Sequence, residues 1–432
     1  MSRIFLTLLL LAGCFSAVVP LQASRPGGDD RCERLFRWLQ QARGDSLYAV
    51  ADSVLRTRLQ PAQLSALWSQ VVAQGGALRA SGAWERRPAG GFSVAERRLD
   101  FERMAATLRF VFNGRDELAG LFVLPARPVE SADTVDWTER DTVVASGAVR
   151  LPATLCLPSR STGRVPLVVF VHGSGPNDRD ETLGPNKLFA DLAHALAGSG
   201  VASLRYDKRT RVYSGERFME VSGRTDYDTE VVDDAVAALL LARGLTEVCP
   251  DSLFVVGHSL GAALAPRIAA RAEPQPAGIV LLAAPARPFD VMLREQLLYL
   301  ARLQGGDTSR VETDCRRMLD ALPDSYLDMA GSYNAVATAR GLSLPILVVQ
   351  GGHDYQVTEA DFRLWQQGLA GCPNVRFAFL PALDHLMRPL QAMATPADYA
   401  RYVPVSPETV ALLLRFFRGV ACGSEQVSVL RH

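Results

Sequence analysis

Apolar and polar positions change rhythm along this chain, and each rhythm predicts a different kind of element. Between residues 33 and 74, Leu35, Phe36 and Leu39, then Leu47, Val50, Val54 and Leu55, then Leu64, Leu67, Val71 and Val72 recur three or four residues apart. That spacing gathers apolar side chains on one face of successive helices, with Pro61 in a first helical turn. After Gly90-Gly91 the texture becomes β-branched and aromatic over 92–101, 105–112 and 118–124, which predicts strands. Asn113-Gly114 reads as a tight turn between the last two. Helices followed by an antiparallel sheet predict a small α+β domain over residues 25–125, with no evident chemistry of its own.

Residues 125–135 read as a linker, followed by a β-hairpin (141–145 and 148–157) turning at Ser146-Gly147. From residue 165 strands and helices alternate. Strands are predicted at 165–171, 201–206, 253–256, 278–283, 345–350 and 375–380, and helices at 186–197, 226–242, 261–271, 360–369 and 407–417. A run such as Leu167-Val168-Val169-Phe170-Val171 is apolar on both faces, which implies a parallel sheet between helical layers. The expected class is therefore α/β over residues 140–420. Between 288 and 342 the alternation stops, and Val291, Leu293, Leu297, Leu298, Leu300, Leu303, Met318, Leu319 and Leu322 predict amphipathic helices. Such an insertion is expected to form a helical cap. Met292, Leu297, Tyr299 and Tyr326 are its candidates for substrate contact and equally for internal packing.

Composition narrows the class of partner. At 432 residues, 48% of them apolar, the chain is long enough for two domains with substantial cores. Forty-six basic side chains balance forty-six acidic ones, so no net field draws nucleic acid or an anionic membrane surface. Residues 1–23 read as a signal peptide, with Arg3 before the apolar run 4–11, too short for a transmembrane span. Two exits are open. Leu11-Ala12-Gly13-Cys14 resembles a lipoprotein box that would leave Cys14 acylated, whereas cleavage after Ala23 would release a soluble protein. Either implies export, to the periplasm or the cell exterior. Cys32, Cys156, Cys249, Cys315, Cys372 and Cys422 remain, an even number that permits disulfides or buried free thiols without choosing a pairing. Oligomeric state is not legible.

The chemistry gathers around Leu253-Phe254-Val255-Val256-Gly257-His258-Ser259-Leu260-Gly261. An apolar strand that ends in Gly-x-Ser-x-Gly and passes at once into an alanine-rich helix lifts its serine above the carboxyl edge of a sheet. The competing reading, a serine that only caps the helix, accounts for neither glycine. Ser259 needs a base, and the chain has six histidines. His385 follows the last strand in a loop at the correct edge, whereas His172, His194, His258, His353 and His432 are each placed less well. The base needs a carboxylate to hold its tautomer. Asp354, at the end of the preceding strand, is the first candidate, with Asp384 and then Asp361 behind it.

The elbow, the order Ser259, Asp354, His385 and the turn His172-Gly173-Ser174-Gly175 resemble the alpha/beta-hydrolase superfamily over roughly residues 140–420. Three stretches, 172–181, 204–209 and 350–358, are similar to exported bacterial hydrolases of esterase-like or prolyl-oligopeptidase-like type, which often carry a small upstream domain of unknown function. The resemblance implies an oxyanion hole made by the backbone N–H groups of Leu260 and Ser174. A plain tight turn or an anion nest is the rival reading of the 172–175 loop. The charged run 178–181 reads as pocket-shaping, as loop-orienting or as solvated charge. The function expected is hydrolysis of small carboxylic esters through an acyl-enzyme on Ser259, with no metal or organic cofactor implied. A serine peptidase or amidase acting on short peptides would use the same residues. A non-catalytic binding module would be marked by loss of one of the three, and none is missing.

Overall fold

The computed structural model describes residues 30–89, 91–126, 136–161, 163–213, 216–303 and 305–429. The expected signal peptide with Cys14, most of the linker and the Cys422 side chain lie outside what is described. The chain divides into two compact units.

Among the described residues of its N-terminal part, the first unit holds the α-helices α1 (Asp30–Gln40), α2 (Gly44–Ala49), α3 (Ser53–Arg58) and α4 (Pro61–Gly75), and five strands. The strands are β1 (Leu78–Ser81), β2 (Glu85–Ala89), β3 (Phe92–Phe101), β4 (Ala105–Phe112) and β5 (Leu118–Ala126). All pair antiparallel, and β3 is long enough to take β2 along its first half and β1 along its second. Leu35, Leu39, Leu47 and Leu64 from the helices meet Leu99, Leu108, Phe110 and Phe112 from the sheet in a common core. The short, mostly exposed β1 was not anticipated, nor was β2. The turn between β4 and β5 also differs from expectation. It is a five-residue loop, in which Asn113 Oδ1 accepts from the Arg115 and Glu117 amides. Asp116, not Gly114, takes the left-handed conformation, at φ 61°.

The second unit is built on an eight-stranded sheet. Its antiparallel edge is β6 (Trp137–Ser146) and β7 (Val149–Pro158), followed by β8 (Val165–Val171). Outside that sheet, the two-residue strands β9 (Thr182–Leu183) and β10 (Asn186–Lys187) pair with each other, and each has one residue in either unit. The remaining sheet strands are β11 (Ala202–Tyr206), β12 (Val248–His258), β13 (Gly278–Leu282), β14 (Ile346–Gly351) and β15 (Val375–Leu380). Their order is β15-β14-β13-β12-β8-β11-β7-β6, parallel from β15 to β11. Helices between them are α5 (Leu188–Ala197), α6 (Arg209–Val212), α7 (Glu216–Ser222), α8 (Asp233–Arg243), α9 (Leu260–Arg271), α10 (Phe289–Leu303), α11 (Val311–Asp320), α12 (Asp324–Ser332), α13 (Ala335–Arg340), α14 (Glu359–Gly368) and α15 (Pro407–Val429). The mostly parallel α/β architecture agrees with the alternating pattern, since β8, β13 and β14 are buried along nearly their whole length, and β12 is buried from Leu253 onward.

The chain runs from β8 to β11 on one side and then to β12 on the other. The order of winding therefore reverses beside β8, and the crevice at the carboxyl ends of β8 and β12 is where an open α/β sheet places its site. Local boundaries differ from the periodicity in several places. Residues 186–187 are strand, not the start of a helix. The helix expected from residue 226 begins as a π-helical turn, Asp228–Val232, that continues into α8. The strand expected at 253–256 extends over Val248–His258. α6 and α7, too short and too charged for a periodic signal, were not anticipated.

Candidate active site

β12 delivers Ser259 through a sharp reversal. Ser259 has φ 53° and ψ −119°, a conformation that a residue with a side chain adopts only under compulsion. Its N–H donates to the Leu282 carbonyl at 2.9 Å, and its carbonyl accepts from the Ala262 and Ala263 amides, so both peptide bonds are fastened. Close approach explains the flanking glycines. A methyl group on Gly257 would collide with the Gly261 carbonyl, and one on Gly261 with the carbonyls of Val171 and His172. Ser259 itself is half-buried and opens α9.

The loop after β8 lies directly against it. A methyl group on Gly173 would sit 3.1 Å from Ser259 Cβ. The N–H groups of Leu260 and Ser174 make no hydrogen bond to another described residue. One is the first amide of α9, where orphan donors and the helix dipole favour negative charge.

The histidine and the carboxylate come from the ends of β15 and β14. His385 Nδ1 lies 2.7 Å from Asp354 Oδ2, and both groups are buried. Asp354 is held on every side. Its Oδ1 accepts from the Gln356 and Val357 amides at 2.8 and 3.0 Å, and its Oδ2 also accepts from Gln350 Nε2 at 3.3 Å. Gln350 is itself buried and donates to the Val357 carbonyl at 2.7 Å, which folds the 351–357 loop around the carboxylate. The other two aspartates belong elsewhere. Asp384 accepts from the Arg388 amide and guanidinium, and Asp361 from Arg287 and from the amides of Ala286, Arg287 and Thr358.

The remaining described histidines are accounted for, and His432 lies outside the described residues. Burial, helped by the charge of Lys208, pushes His172 down to about 4, so it stays neutral between Phe189 and Tyr206. His194 stacks on Trp137 and lies 2.9 Å from Glu139. His353 Nδ1 approaches the Leu390 carbonyl at 3.1 Å.

His258 and Glu181 are functional-site residues that the sequence did not single out for this position. His258 Nε2 donates to the His385 carbonyl at 2.8 Å, and its Nδ1 lies 3.1 Å from Glu181 Oε2. Glu181 Oε1 accepts from the Gly173 amide at 2.6 Å. This corrects the reading of 178–181 as solvated charge. Glu181 is buried, Asp180 pairs with Lys187 and Arg205, and Arg179 with Asp207. Burial would lower the His258 pKa, but the nearby charge of Glu181 and the bond to the His385 carbonyl prevail and raise it. Burial likewise acts to raise that of Glu181, yet His258 and the Gly173 amide leave it lowered. The pair thus ties the end of β12 to the loop after β8, and the His258 bond to the His385 carbonyl extends the link to the loop that carries His385.

The helices between β13 and β14 are tied to the same edge. Tyr299 stacks on Tyr355 at 4.9 Å and donates to the Ala394 carbonyl, and Gln296 donates to the Gln356 carbonyl. Tyr326 is buried edge-on against Tyr227, so it packs rather than lining an opening. Among the described residues one group, Glu139, Cys156 and His194, brings metal-type ligand atoms within 4.8 Å of one another. It suits a metal poorly, because Arg205 already pairs with Glu139 and burial pushes the Cys156 thiol up to about 12.

Comparison with known proteins gives three findings. A model of the "Alpha/beta hydrolase family" matches residues 168–404. Esterase EstD of Thermotoga maritima is 32% identical over 393 residues, covering 86% of this chain and 91% of that protein. Among solved structures, a puromycin-hydrolyzing peptidase of Mycobacterium tuberculosis superposes with a TM-score of 0.50 at 14% identity, over 79% of this chain and 48% of that one.

Proposed function

The chain belongs to the alpha/beta hydrolase family, and from that premise we propose that it is a serine esterase acting through an acyl-enzyme. The observation that carries the reading is the buried 2.7 Å contact of His385 Nδ1 with Asp354, set at the sheet edge that presents the strained Ser259. With Nδ1–H donating to the carboxylate, Nε2 is the nitrogen left to take the Ser259 proton. Ser259 Oγ then attacks the ester carbonyl, and His385 returns the proton to the departing alcohol. The N–H groups of Leu260 and Ser174 receive the negative charge that develops on the carbonyl oxygen, worth about 3 kcal/mol or more for each donor. Water, deprotonated by His385, releases the acid and restores the serine. The helices α10–α12 act as a cap that shapes the acyl or alcohol pocket. The similarity to a relative named as an esterase, over most of both chains, favours esters over peptides.

The test is turnover of a p-nitrophenyl ester series from acetate to decanoate, beside Ser259→Ala. Activity on esters that disappears in the variant supports the reading. Hydrolysis that persists in Ser259→Ala would refute it. Silence toward every ester, with Ser259 still labelled by a fluorophosphonate, would transfer the reading to peptides or amides. Export is part of the same proposal: the mature protein made with its own N-terminus should begin at Ser24, or at a lipid-modified Cys14.

A further inference from the structure

Two side chains that the triad leaves without a task close on a single peptide unit. Lys208 is buried, and its Nζ donates to the Gly173 carbonyl at 2.9 Å. Its charge is met by Glu230 Oε1 at 2.6 Å, on the π-helical turn Asp228–Val232. Asn177 Nδ2 donates to the same Gly173 carbonyl at 3.2 Å and to the Ser174 carbonyl at 3.1 Å. The Lys208 amide in turn donates to the Asn177 carbonyl at 3.1 Å.

The Gly173 carbonyl and the Ser174 N–H are the two ends of one planar trans peptide, so they point in opposite directions. Fastening the carbonyl therefore aims the N–H. A cation bonded to the carbonyl also draws electron density through the amide, which strengthens the N–H as a donor. Burying an ammonium and a carboxylate together is expensive, and apolar residues of similar size would fill the space at less cost. The pair is better explained by the carbonyl it grips than by stability. Glu181 completes the arrangement from the other side, holding the Gly173 amide at 2.6 Å.

We propose that Lys208, seated by Glu230 and assisted by Asn177, is a positioning residue that fixes the Gly173–Ser174 peptide with its N–H turned toward the oxyanion. The proposal rests on the reading of Ser259 as nucleophile and of the Ser174 amide as an oxyanion donor.

The experiment compares wild type, Lys208→Met, the double variant Lys208→Met/Glu230→Met, Asn177→Ala and Ser259→Ala. Each is assayed for kcat and KM on p-nitrophenyl butyrate and for affinity toward a trifluoromethyl ketone, which becomes a tetrahedral oxyanion on the serine. The double variant leaves no lone buried charge, and Asn177→Ala changes a half-exposed side chain, so folding does not limit both arms. In the Lys208 variants kcat should fall roughly ten- to a hundredfold with KM within about twofold, and ketone affinity should fall in parallel with kcat. Asn177→Ala should move both quantities in the same direction by a smaller factor. A defect of packing alone would lower Tm without weakening the ketone more than the ester. The proposal is overturned if folded Lys208 variants keep kcat and ketone affinity within about twofold of wild type. Should neither Lys208 variant fold, unchanged kcat and ketone affinity in Asn177→Ala overturn it. Loss of activity in Ser259→Ala beside unaffected Lys208 variants would leave the esterase reading standing and remove only this one, whereas hydrolysis surviving in Ser259→Ala would remove both.

Discussion

Asp384 precedes His385 in the chain and yet serves a different partner, because adjacent side chains on an irregular loop diverge. Its carboxylate is buried with Arg388, while the histidine reaches across to Asp354 in the loop after another strand. The two aspartates should therefore fail differently. Asp354→Asn should lower kcat by about four orders of magnitude with little loss of Tm, through the wrong histidine tautomer. Asp384→Asn should instead cost about 3–5 kcal/mol in urea unfolding, with kcat of the folded fraction largely kept. The pair His258–Glu181 makes a pH prediction. The folded pKa of His258 is raised, so its contribution is full below the ordinary value of 6.5 and is lost as pH climbs through the raised one. Glu181 is lowered, so its contribution is present above 4.5 and is lost as pH falls through the lowered value. The Tm gap between wild type and Glu181→Gln/His258→Asn should thus be widest between about pH 4.5 and 6.5 and narrow on both sides. The contact between residues 354 and 385 was legible because each follows a strand at the same sheet edge. Glu181, Lys208 and Gln350 were not, since a charged side chain in a loop, or an amide at the end of a strand, reads as solvated until its partner is known. The His258 bond to the His385 carbonyl spans 127 residues.

At the level of elements, strong local chemistry was readable and weak local chemistry was not. The strand–elbow–helix unit announces itself because its two glycines are required by backbone contact rather than by preference. Gly261→Ala should cost about 4 kcal/mol or more in denaturant unfolding, since the methyl group meets the carbonyl oxygens of Val171, at the end of β8, and of His172 just after it. The buried strands were legible from runs of β-branched residues. Asn113-Gly114 misled because the loop is longer than two residues and its bend is made by the Asn113 side chain bonding forward along the chain. The π-helical turn before α8 leaves no periodic trace, for a single extra residue per turn shifts the pattern by less than the spacing of apolar positions reveals. β1 escaped notice because its residues are mostly exposed, and without a buried face there is no alternation to detect.

For the molecule as a whole, the presence of a doubly covered parallel sheet could be read, but not the order of its strands. Nothing in the sequence says that β11 lies on one side of β8 and β12 on the other, and that reversal is what creates the crevice. Cysteine pairing was equally silent, and the structure shows Cys156, Cys249, Cys315 and Cys372 as free thiols. Alkylation in denaturant without reductant should therefore modify all four. In the native protein Cys156 and Cys315 should resist, being buried, while Cys249 and Cys372 react first.

The segment between β13 and β14 carries one further consequence. α13 packs beside α9 and leads the chain back into the sheet at Ile346, so the crossover demanded by two parallel neighbours is already supplied by that short helix. The helices α10–α12 are consequently an excursion that the sheet does not need. Natural variation can lengthen, shorten or replace that excursion while the strands beneath keep their pairing, which makes it an interchangeable part. Descendants of this chain could diverge in diet without relearning how to cut.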